Sequence, residues 1–372
     1  MKNKYEESFS KLLYDKISLE IFNNDGLLFL VDNYFLNNRT FYNILYKQFE
    51  NFKPIIMGNI STNPDILDIL KLKKDLADKD FDLIVALGGG SVIDTAKAIS
   101  CFNKMEFKDI EKLRNNIIEK KYLKNNPNIP IIAIPTTAGT GSEVTAWATL
   151  WDKDKGKKYS IEKDDLIPKD VILEPELTVS LPLNITVSTA LDALSHAVEA
   201  YWSKKTNAEV RENALKAISL ISNNLFELLG DLSNLKLREK MLKGSYYAGF
   251  AFSKTKTTSC HSISYPLTMK YNIPHGIAVS MTLINMLNLN KKALINVDDF
   301  LNAFNVKSID EIDKWIKKIY DIANIKYKLK DYGVSFSELE SLADECFTPG
   351  RMDNNPVELS KEDVYNVLKN IY

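Results

Sequence analysis

The sequence predicts two domains, an α/β domain with a parallel sheet covered by helices on both faces and then an all-α domain. The chain has 372 residues, more than a single hydrophobic core usually organises. In its first half, short continuous runs of Val, Ile and Leu alternate with helical segments, which is typical of buried parallel strands. From Leu181 onward, apolar residues recur at helical spacing almost to the C-terminus. We therefore expect domains at 1–180 and 181–372, with the boundary near 178–182.

The N-terminal domain is predicted to contain four buried strands, Leu27–Asp32, Pro54–Gly58, Phe81–Gly90 and Ile129–Thr137. Helical segments are expected at 37–51 and 64–79, and a further helix from Asp94 to Asn103. The charged stretch 103–128 is interpreted as an exposed helix and loop. The segments ATLWD, KKYSIEK and DVILEPEL, which follow it, are predicted to form short strands, with a hairpin near the domain edge.

Composition narrows the class of protein. Apolar residues make up 45% of the chain and charged residues 26%, with a net charge of −1, so neither a nucleic-acid partner nor a membrane partner is expected. The N-terminal segment 1–22 lacks the apolar core of a signal peptide, and no apolar run reaches the roughly 18 residues that span a membrane. Three cysteines without CxxC spacing fit a reducing cytoplasm, and we interpret Cys260 as a packing residue.

A glycine-rich loop, Gly88–Ser91, joins the third predicted strand to a helix. Glycines allow a ligand to approach the backbone closely, and a helix N-terminus offers unpaired N–H groups, so the loop is a candidate phosphate site. It matches neither the GxGxxG nor the GxxxxGK[ST] fingerprint, and a tight turn that needs small residues is the alternative. Asp94 is interpreted either as a charge near the start of the helix or as a group that hydrogen-bonds the ligand.

A second loop of small and hydroxyl residues, 136–143, follows the fourth strand. Ligands of parallel sheets lie beyond the carboxyl ends of the strands, so one dinucleotide that contacts both loops is the simplest interpretation. Asp32 ends the first strand, where a carboxylate accepts hydrogen bonds from ribose hydroxyls and repels a 2′-phosphate; a solvated strand end is the alternative. Lys158 is either a contact to a cofactor oxygen or an exposed lysine.

The predicted helical domain contains all three histidines of the chain, His196, His261 and His275. Asp192 and His196 are four residues apart and share one face of a helix. A carboxylate with three imidazoles is a ligand set for Fe²⁺ or Zn²⁺. The alternative is that Asp192 is solvated and the histidines are ordinary packed residues.

Five segments together resemble the iron-containing (group III) alcohol dehydrogenases: ALGGGSVIDTAKAI, IPTTAGTGSEVT, VILEPELTVSLP, STALDALSHAVEAY and YNIPHGIAVS. They occur in the family's order from about residue 26 to the end. The resemblance implies the fold shared with dehydroquinate synthases, namely a dinucleotide-binding α/β domain and a helical metal-binding domain, with the active site in the cleft between them. It also implies a cytoplasmic homodimer that uses Fe²⁺ or Zn²⁺ and NAD(H) rather than NADP(H).

The resemblance carries over site residues position by position. The metal ligands it implies are Asp192, His196, His261 and His275. Cofactor contacts are implied at Asp32 and Lys158, at the first loop (Gly89, Gly90, Ser91, Asp94) and at the second (Thr136, Thr137, Thr140, Ser142). Many members carry a further histidine four residues after the third ligand. Tyr265 stands at that position here and is a candidate proton relay.

Substrate class is predicted from the segment before His261, where Lys254 and Lys256 precede a run of hydroxyl residues. Cations there could bind an anionic group of the substrate. This pattern resembles enzymes that reduce phosphonoacetaldehyde to 2-hydroxyethylphosphonate, or sulfoacetaldehyde to isethionate. The alternatives are solvent-facing lysines in a dehydrogenase of neutral alcohols such as butanol or propanediol, a dehydroquinate-synthase-like lyase, and a catalytically silent metal- or nucleotide-binding protein.

Overall fold

The computed structural model describes residues 26–124 and 128–372, so the predicted absence of a signal peptide in 1–22 concerns a segment outside the described residues. The chain forms two compact units. The first comprises the residues up to Thr136 together with Ser142–Ile172, and the second comprises Thr137–Gly141 together with Leu173–Tyr372. Part of the second small-residue loop therefore packs with the C-terminal unit. The domain limit at residue 180 stays a prediction.

The described part of the first unit is built on a five-stranded parallel sheet. The strands of this unit are β1 (Leu27–Val31), β2 (Ile55–Met57), β3 (Leu83–Gly88), β4 (Ile131–Pro135), β5 (Trp147–Asp152), β6 (Lys157–Glu162) and β7 (Asp170–Val171). The sheet order is β2-β1-β3-β4-β7, and β5 and β6 form a separate antiparallel hairpin. Every residue of β1, β3 and β4 is buried, as the continuous apolar runs predict for strands covered on both faces. The predicted α/β class is confirmed.

The helices of the first unit alternate with these strands along the chain. They are α1 (Asn33–Leu36), α2 (Arg39–Phe49), α3 (Ile66–Asp75), α4 (Gly90–Cys101) and α5 (Ile110–Ile118). The α4 helix begins at Gly90, within the predicted loop Gly88–Ser91, because the Gly89 carbonyl already accepts hydrogen bonds from the backbone N–H groups of Val92 and Ile93. The phosphate-site candidate is thus the true start of a helix.

One sequence expectation in this unit is wrong and another holds only in part. The α5 helix is not simply exposed, because one of its faces is buried and Arg114 on that face donates to both carboxylate oxygens of Asp152, at 2.6 and 3.0 Å. The segment DVILEPEL forms the predicted short strand only at its start. Only Asp170–Val171 is a strand, and it extends the parallel sheet beside β4.

The second unit is largely helical, as predicted. Its helices are α6 (Leu183–Trp202), α7 (Ala208–Ser222), α8 (Leu225–Gly230), α9 (Leu235–Thr255), α10 (Ser259–Tyr271), α11 (His275–Asn290), α12 (Val297–Phe304), α13 (Ile309–Ile322), α14 (Leu339–Glu345) and α15 (Lys361–Asn370). From Ala190 to its end α6 is buried on all sides, which makes it the central helix of the unit. Among the residues that the structure describes, no helix is both long enough and apolar enough to cross a membrane.

Candidate metal centre and cofactor loops

The central helix α6 provides the first part of the candidate metal centre. Asp192, His196 and Glu199 lie at positions i, i+4 and i+7 of this helix, so their side chains leave it on one face. All three are buried, with 5%, 6% and 0% of their surfaces exposed. Polar side chains in the buried part of a helix need partners from elsewhere in the chain.

The helices α10 and α11 bring two histidines to this face of α6. One ligand atom each of Asp192, His261 and His275 lies within 4.8 Å of the other two. Asp192 Oδ1 is 3.5 Å from His261 Nε2 and 4.0 Å from His275 Nε2. Asp192 thus converges with two histidines that lie 69 and 83 positions further along the chain. The structure therefore brings together three of the four predicted ligands.

A glycine sets the distance between α11 and α6. Gly276 follows His275 directly, and a Cβ placed on it would lie 1.9 Å from the backbone oxygen of Ser188 and 3.0 Å from Asp192 Cβ. No other residue type has room there, since the two backbones are in contact. This close approach holds His275 beside Asp192.

The chemistry of the cluster fits a divalent transition metal. Asp192 Oδ1 and His261 Nε2 are buried and have no hydrogen-bond partner. Unpartnered buried polar atoms are costly, so the convergence of these two atoms fits a site that binds a cation. Carboxylate and imidazole ligands suit both Fe²⁺ and Zn²⁺. The side chain of His275 is 35% exposed, so one edge of the cluster is accessible.

His196, the fourth predicted ligand, lies beside the cluster without belonging to the three-residue group. Its ring stacks on His261, with 4.3 Å between centroids, and on Phe252, with 4.1 Å. His196 Nδ1 is buried without a hydrogen-bond partner, and the ring also hydrogen-bonds the backbone of Gly139. Its service as a metal ligand stays a prediction.

Glu199 was not predicted from the sequence, although it supports His261 directly. Its Oε2 contacts His261 Nδ1 through a short hydrogen bond, and its Oε1 accepts hydrogen bonds from the backbone N–H groups of Cys260 and His261, at 2.6 and 3.3 Å. The available signal was the i, i+4, i+7 spacing of Asp192, His196 and Glu199 in an otherwise apolar helix.

The ionisation of the cluster follows from burial and mutual attraction. Burial acts to raise the pKa of Asp192, but the surrounding imidazoles outweigh it and hold this pKa well below its usual range. Burial lowers the pKa of His196 to about 4. For His261, burial opposes the charged ring, yet Glu199 and Asp192 raise its pKa to about 10. Protons and a cation therefore compete for the same ligand atoms.

Three further predicted residues lie on helices that carry or precede the ligands. Tyr265, on α10, stacks its ring against His275 with 6.0 Å between centroids, and its proton-relay function stays a prediction. Lys254 is exposed near the end of α9, and its Nζ lies over the Phe250 ring. Lys256 is half-buried and has φ +62° and ψ 177°, a conformation that non-glycine residues rarely adopt.

The first cofactor loop has the geometry predicted for it. Gly89 caps the twelve-residue helix α4, which begins at Gly90, so the first N–H groups of the helix lack intrahelical acceptors. The Oγ of Ser91 accepts a hydrogen bond from the backbone N–H of Asn63. Asp94 is instead committed to the protein, since it accepts from the Ser142 hydroxyl and from the Thr149 backbone N–H. Its burial raises its pKa, although Lys97 and these donors oppose the shift.

Lys97, which the sequence analysis did not single out, organises the second loop. Its ammonium is fully buried and donates to the carbonyls of Ser142, Thr145 and Trp147 at 2.6, 2.7 and 2.9 Å. Burial lowers the pKa of Lys97 to about 8, with Asp94 and Glu143 opposing. Burial likewise raises the pKa of Glu143 to about 7. A lysine within the apolar run of α4 was the available signal.

The remaining predicted cofactor residues are divided between the units. Thr136 is buried and its N–H donates to the Gly88 carbonyl, while Thr137 is half-buried and Thr140 is exposed in the part of the loop that packs with the helical unit. Within that unit, Gly141 adopts φ +61° against Gly249 of α9. Asp32 accepts a hydrogen bond from the Tyr34 N–H and so caps α1. Lys158 lies on β6 with its Nζ over the Trp151 ring.

Comparison with known proteins covers nearly the whole chain. Residues 16–175 match the family model "Iron-containing alcohol dehydrogenase", and residues 186–372 match "Fe-containing alcohol dehydrogenase family, C-terminal". Alcohol dehydrogenase 4 of Saccharomyces cerevisiae is 30% identical, over 85% of this chain and 83% of its own length. The 4-hydroxybutyrate dehydrogenase of Clostridium kluyveri is 31% identical, over 80% of this chain and 81% of its own.

A solved structure extends the similarity to the fold. The sulfoacetaldehyde reductase of Bifidobacterium kashiwanohense, in complex with NAD⁺, superposes with a TM-score of 0.85 at 29% identity, covering 97% of this chain and 94% of its own. The chain belongs to the iron-containing alcohol dehydrogenase family and is an oxidoreductase of the alcohol dehydrogenase class.

Proposed function

We propose that this protein is a metal-dependent, NAD(H)-linked dehydrogenase that reduces a small anionic aldehyde to its alcohol. The observation that carries the proposal is the convergence of Asp192, His261 and His275 in a chain of this family, with Asp192 Oδ1 and His261 Nε2 buried and not hydrogen-bonded. The proposed fourth ligand is His196. The reaction consumes one aldehyde, one NADH and one proton, and releases one alcohol and NAD⁺.

The side chains of the helical unit handle charge during this reaction. A divalent cation bound here supplies Lewis acidity toward the oxygen of the aldehyde or alcohol. Asp192 contributes the negative charge that offsets the cation, and His275 lies at the accessible edge of the cluster. Tyr265, stacked on His275, is the proposed donor of the proton to the developing alkoxide.

The α/β unit binds the nicotinamide cofactor in this proposal. Gly89, Gly90 and Ser91, at the start of α4, bind the pyrophosphate through backbone N–H groups. Thr136, Thr137, Thr140 and Ser142 line the second loop, and Lys158 contacts a cofactor oxygen. Asp32 would favour NAD(H) over NADP(H), because a carboxylate just after β1 would accept hydrogen bonds from ribose hydroxyls and repel a 2′-phosphate. The NAD⁺ complex of the related reductase supports this assignment.

The strained conformation of Lys256 supports an anionic substrate. Such backbone strain costs about 1–3 kcal/mol and tends to persist at functional sites. Lys256 lies five positions before His261, and the next residue, Thr257, has a buried hydroxyl without a hydrogen-bond partner. Two relatives also act on anionic molecules by their names, 4-hydroxybutyrate and sulfoacetaldehyde. Lys254 is the second proposed contact.

Steady-state kinetics test the substrate class. We expect kcat/KM for sulfoacetaldehyde or phosphonoacetaldehyde to exceed that for propanal and butanal. Lys256→Ala is expected to lower kcat/KM for the anionic aldehydes at least tenfold, since it removes a charge-assisted contact, while rates with propanal change little. Lys236→Ala removes an exposed lysine from the first turn of α9 and serves as the matched control. Equal kcat/KM values for all four aldehydes contradict the proposal.

A dehydrogenase of neutral alcohols is the second candidate, supported by the similarity to alcohol dehydrogenase 4. It predicts turnover of butanol or propanediol that is insensitive to the loss of Lys254 and Lys256. A lyase would act without net change in NADH absorbance. Complete inactivity with NADH, metal and the aldehyde panel would instead indicate a silent metal- or nucleotide-binding protein.

We also propose a homodimer that resides in the cytoplasm. All three cysteines are buried thiols, which is consistent with a reducing compartment. Light scattering on the purified protein tests the dimer, and fractionation of the source cells tests the location.

A further inference from the structure

Glu199 is a fully buried carboxylate with two differently engaged oxygens. Oε1 accepts hydrogen bonds from the backbone N–H groups of Cys260 and His261, and from Thr258 Oγ1 at 2.9 Å. Since these N–H groups belong to the first turn of α10, Oε1 caps that helix from a different helix. Oε2 contacts only the ring of His261 among the bonds described.

The direction of the hydrogen bonds is fixed by their partners. Trp202 Nε1 donates to Thr258 Oγ1 at 2.8 Å, so the Thr258 hydroxyl turns its own proton toward Glu199. Three donors converge on Oε1, as expected for an ionised carboxylate, so the proton between Oε2 and His261 is assigned to Nδ1. A cation that displaces the second proton of this ring then finds the lone pair on Nε2, because the remaining proton is held on Nδ1. Nε2 is 3.5 Å from Asp192.

We propose that Glu199 is a positioning residue for the metal centre, which orients His261 and keeps the proton of its ring on Nδ1, so that Nε2 is available to the cation. The inference rests on the metal centre of the proposed function. A histidine ligand whose second nitrogen is held by a carboxylate is fixed in both orientation and tautomer.

Glu199→Gln separates the two functions of this side chain. The three donors that contact Oε1 need an acceptor, so the amide oxygen of the glutamine takes the position of Oε1. The NH₂ group then faces His261 Nδ1. Nδ1 must then accept a hydrogen bond, and the ring proton moves to Nε2, where it opposes a cation. The start of α10 remains capped, because the amide oxygen replaces Oε1.

The experiment measures the proton and the metal independently of activity. The chain has only three histidines, so ¹⁵N-histidine labelling gives three rings to assign, aided by His196→Gln and His275→Gln variants. In the metal-free wild type, we expect a slowly exchanging, downfield Nδ1–H signal from His261. In Glu199→Gln we expect this signal to disappear and the affinity for Zn²⁺, measured against a competing chelator, to fall about 10–100-fold.

Thr258→Val is the matched control. It removes a donor to Oε1 and leaves Oε2 in contact with His261, so the Nδ1–H signal should persist even if thermal stability falls. Retention of the Nδ1–H signal and of wild-type Zn²⁺ affinity in Glu199→Gln overturns the inference. Should that variant not fold, an unprotonated His261 Nδ1 in the wild type also overturns it. If the wild type fails to bind Zn²⁺ or Fe²⁺, the proposed function fails, while the Nδ1–H measurement still decides how Glu199 acts.

Discussion

At the scale of single residues, the candidate centre is defined by Asp192, the only carboxylate in the three-residue group. Its Oδ1 is the atom closest to both histidine Nε2 atoms and is buried without a hydrogen bond. The side chain is therefore unfavourable in isolation and favourable only beside positive charge. A substitution that removes the charge of Asp192 but keeps its volume therefore tests metal binding separately from packing.

Replacing Asp192 with Asn should remove metal binding while sparing the fold. The amide has nearly the same volume but no charge, so affinity for Fe²⁺ or Zn²⁺ should fall by more than the roughly 10–100-fold typical of an outer partner. Calorimetric titration of metal-free protein measures this, and Asp310→Asn on the exposed side of α13 is the control. Unchanged affinity in Asp192→Asn would exclude this carboxylate as a ligand.

Glu143 gives a prediction about pH. Burial raises its pKa in the folded state to about 7, against 4.5 for an unperturbed carboxyl. Between these values the folded protein binds more protons than the unfolded chain, so the contribution of this carboxyl to stability falls as pH rises. In the wild type this decrease in the free energy of unfolding amounts to at most about 3 kcal/mol by pH 8. Glu143→Gln does not show the decrease, because its side chain does not ionise.

The melting temperature of Glu143→Gln relative to wild type should therefore rise between pH 5 and pH 8. Thermal unfolding at matched ionic strength measures this difference in melting temperature. The measurement at pH 5 gives the effect of the substitution that does not depend on charge, because both side chains are neutral in the folded state at that pH. A difference that does not vary with pH would show that Glu143 is ionised throughout this range.

At the scale of elements, the position of His275 depends on the contact of α11 with α6. A Cβ at position 276 would overlap the Ser188 carbonyl, so Gly276→Ala should push the two helices apart. We expect weaker metal binding and a lower melting temperature. Gly230→Ala is the control, because nothing lies within 4 Å of a Cβ placed at the end of α8. Wild-type metal affinity in Gly276→Ala would show that the contact adapts without moving His275.

Elements were predicted well where one local pattern determines them. The strands β1, β3 and β4 are continuous apolar runs, and burial on both faces follows from that pattern alone. The α5 helix was misjudged because its burial depends on Arg114 meeting Asp152, which lies 38 residues away. The position of the short strand β7 in the sheet is determined by its pairing with β4. Local strand propensity does not predict such a pairing.

The same distinction separates the site residues that were predicted from those that were missed. The ligands were predictable because histidines are scarce here and the motif residues occur in family order. Lys97 and Glu199 were missed because a charged residue in an apolar helix is informative only once its partners are known. Those partners are as far as 50 and 62 residues away, respectively.

At the scale of the whole molecule, the metal centre joins three helices of one unit that are distant in sequence. α6, α10 and α11 each contribute one candidate ligand, so a cation bound there would link segments between residues 183 and 290. A ligand that binds only the folded state stabilises every structure whose opening releases it. The cation should thus protect these helices, and not the parallel sheet, against local opening.

Hydrogen exchange before and after chelation tests this protection. With the cation at 100 times its Kd, the bound state gains about 2.7 kcal/mol, so amides in α6, α10 and α11 should exchange up to about 100-fold faster once it is removed. Amides in β1, β3 and β4 are the internal reference, and readdition of Zn²⁺ should restore the slow rates. Equal acceleration in both units would mean that chelation destabilises the entire chain, and no acceleration in the three helices would mean that they do not jointly bind a cation.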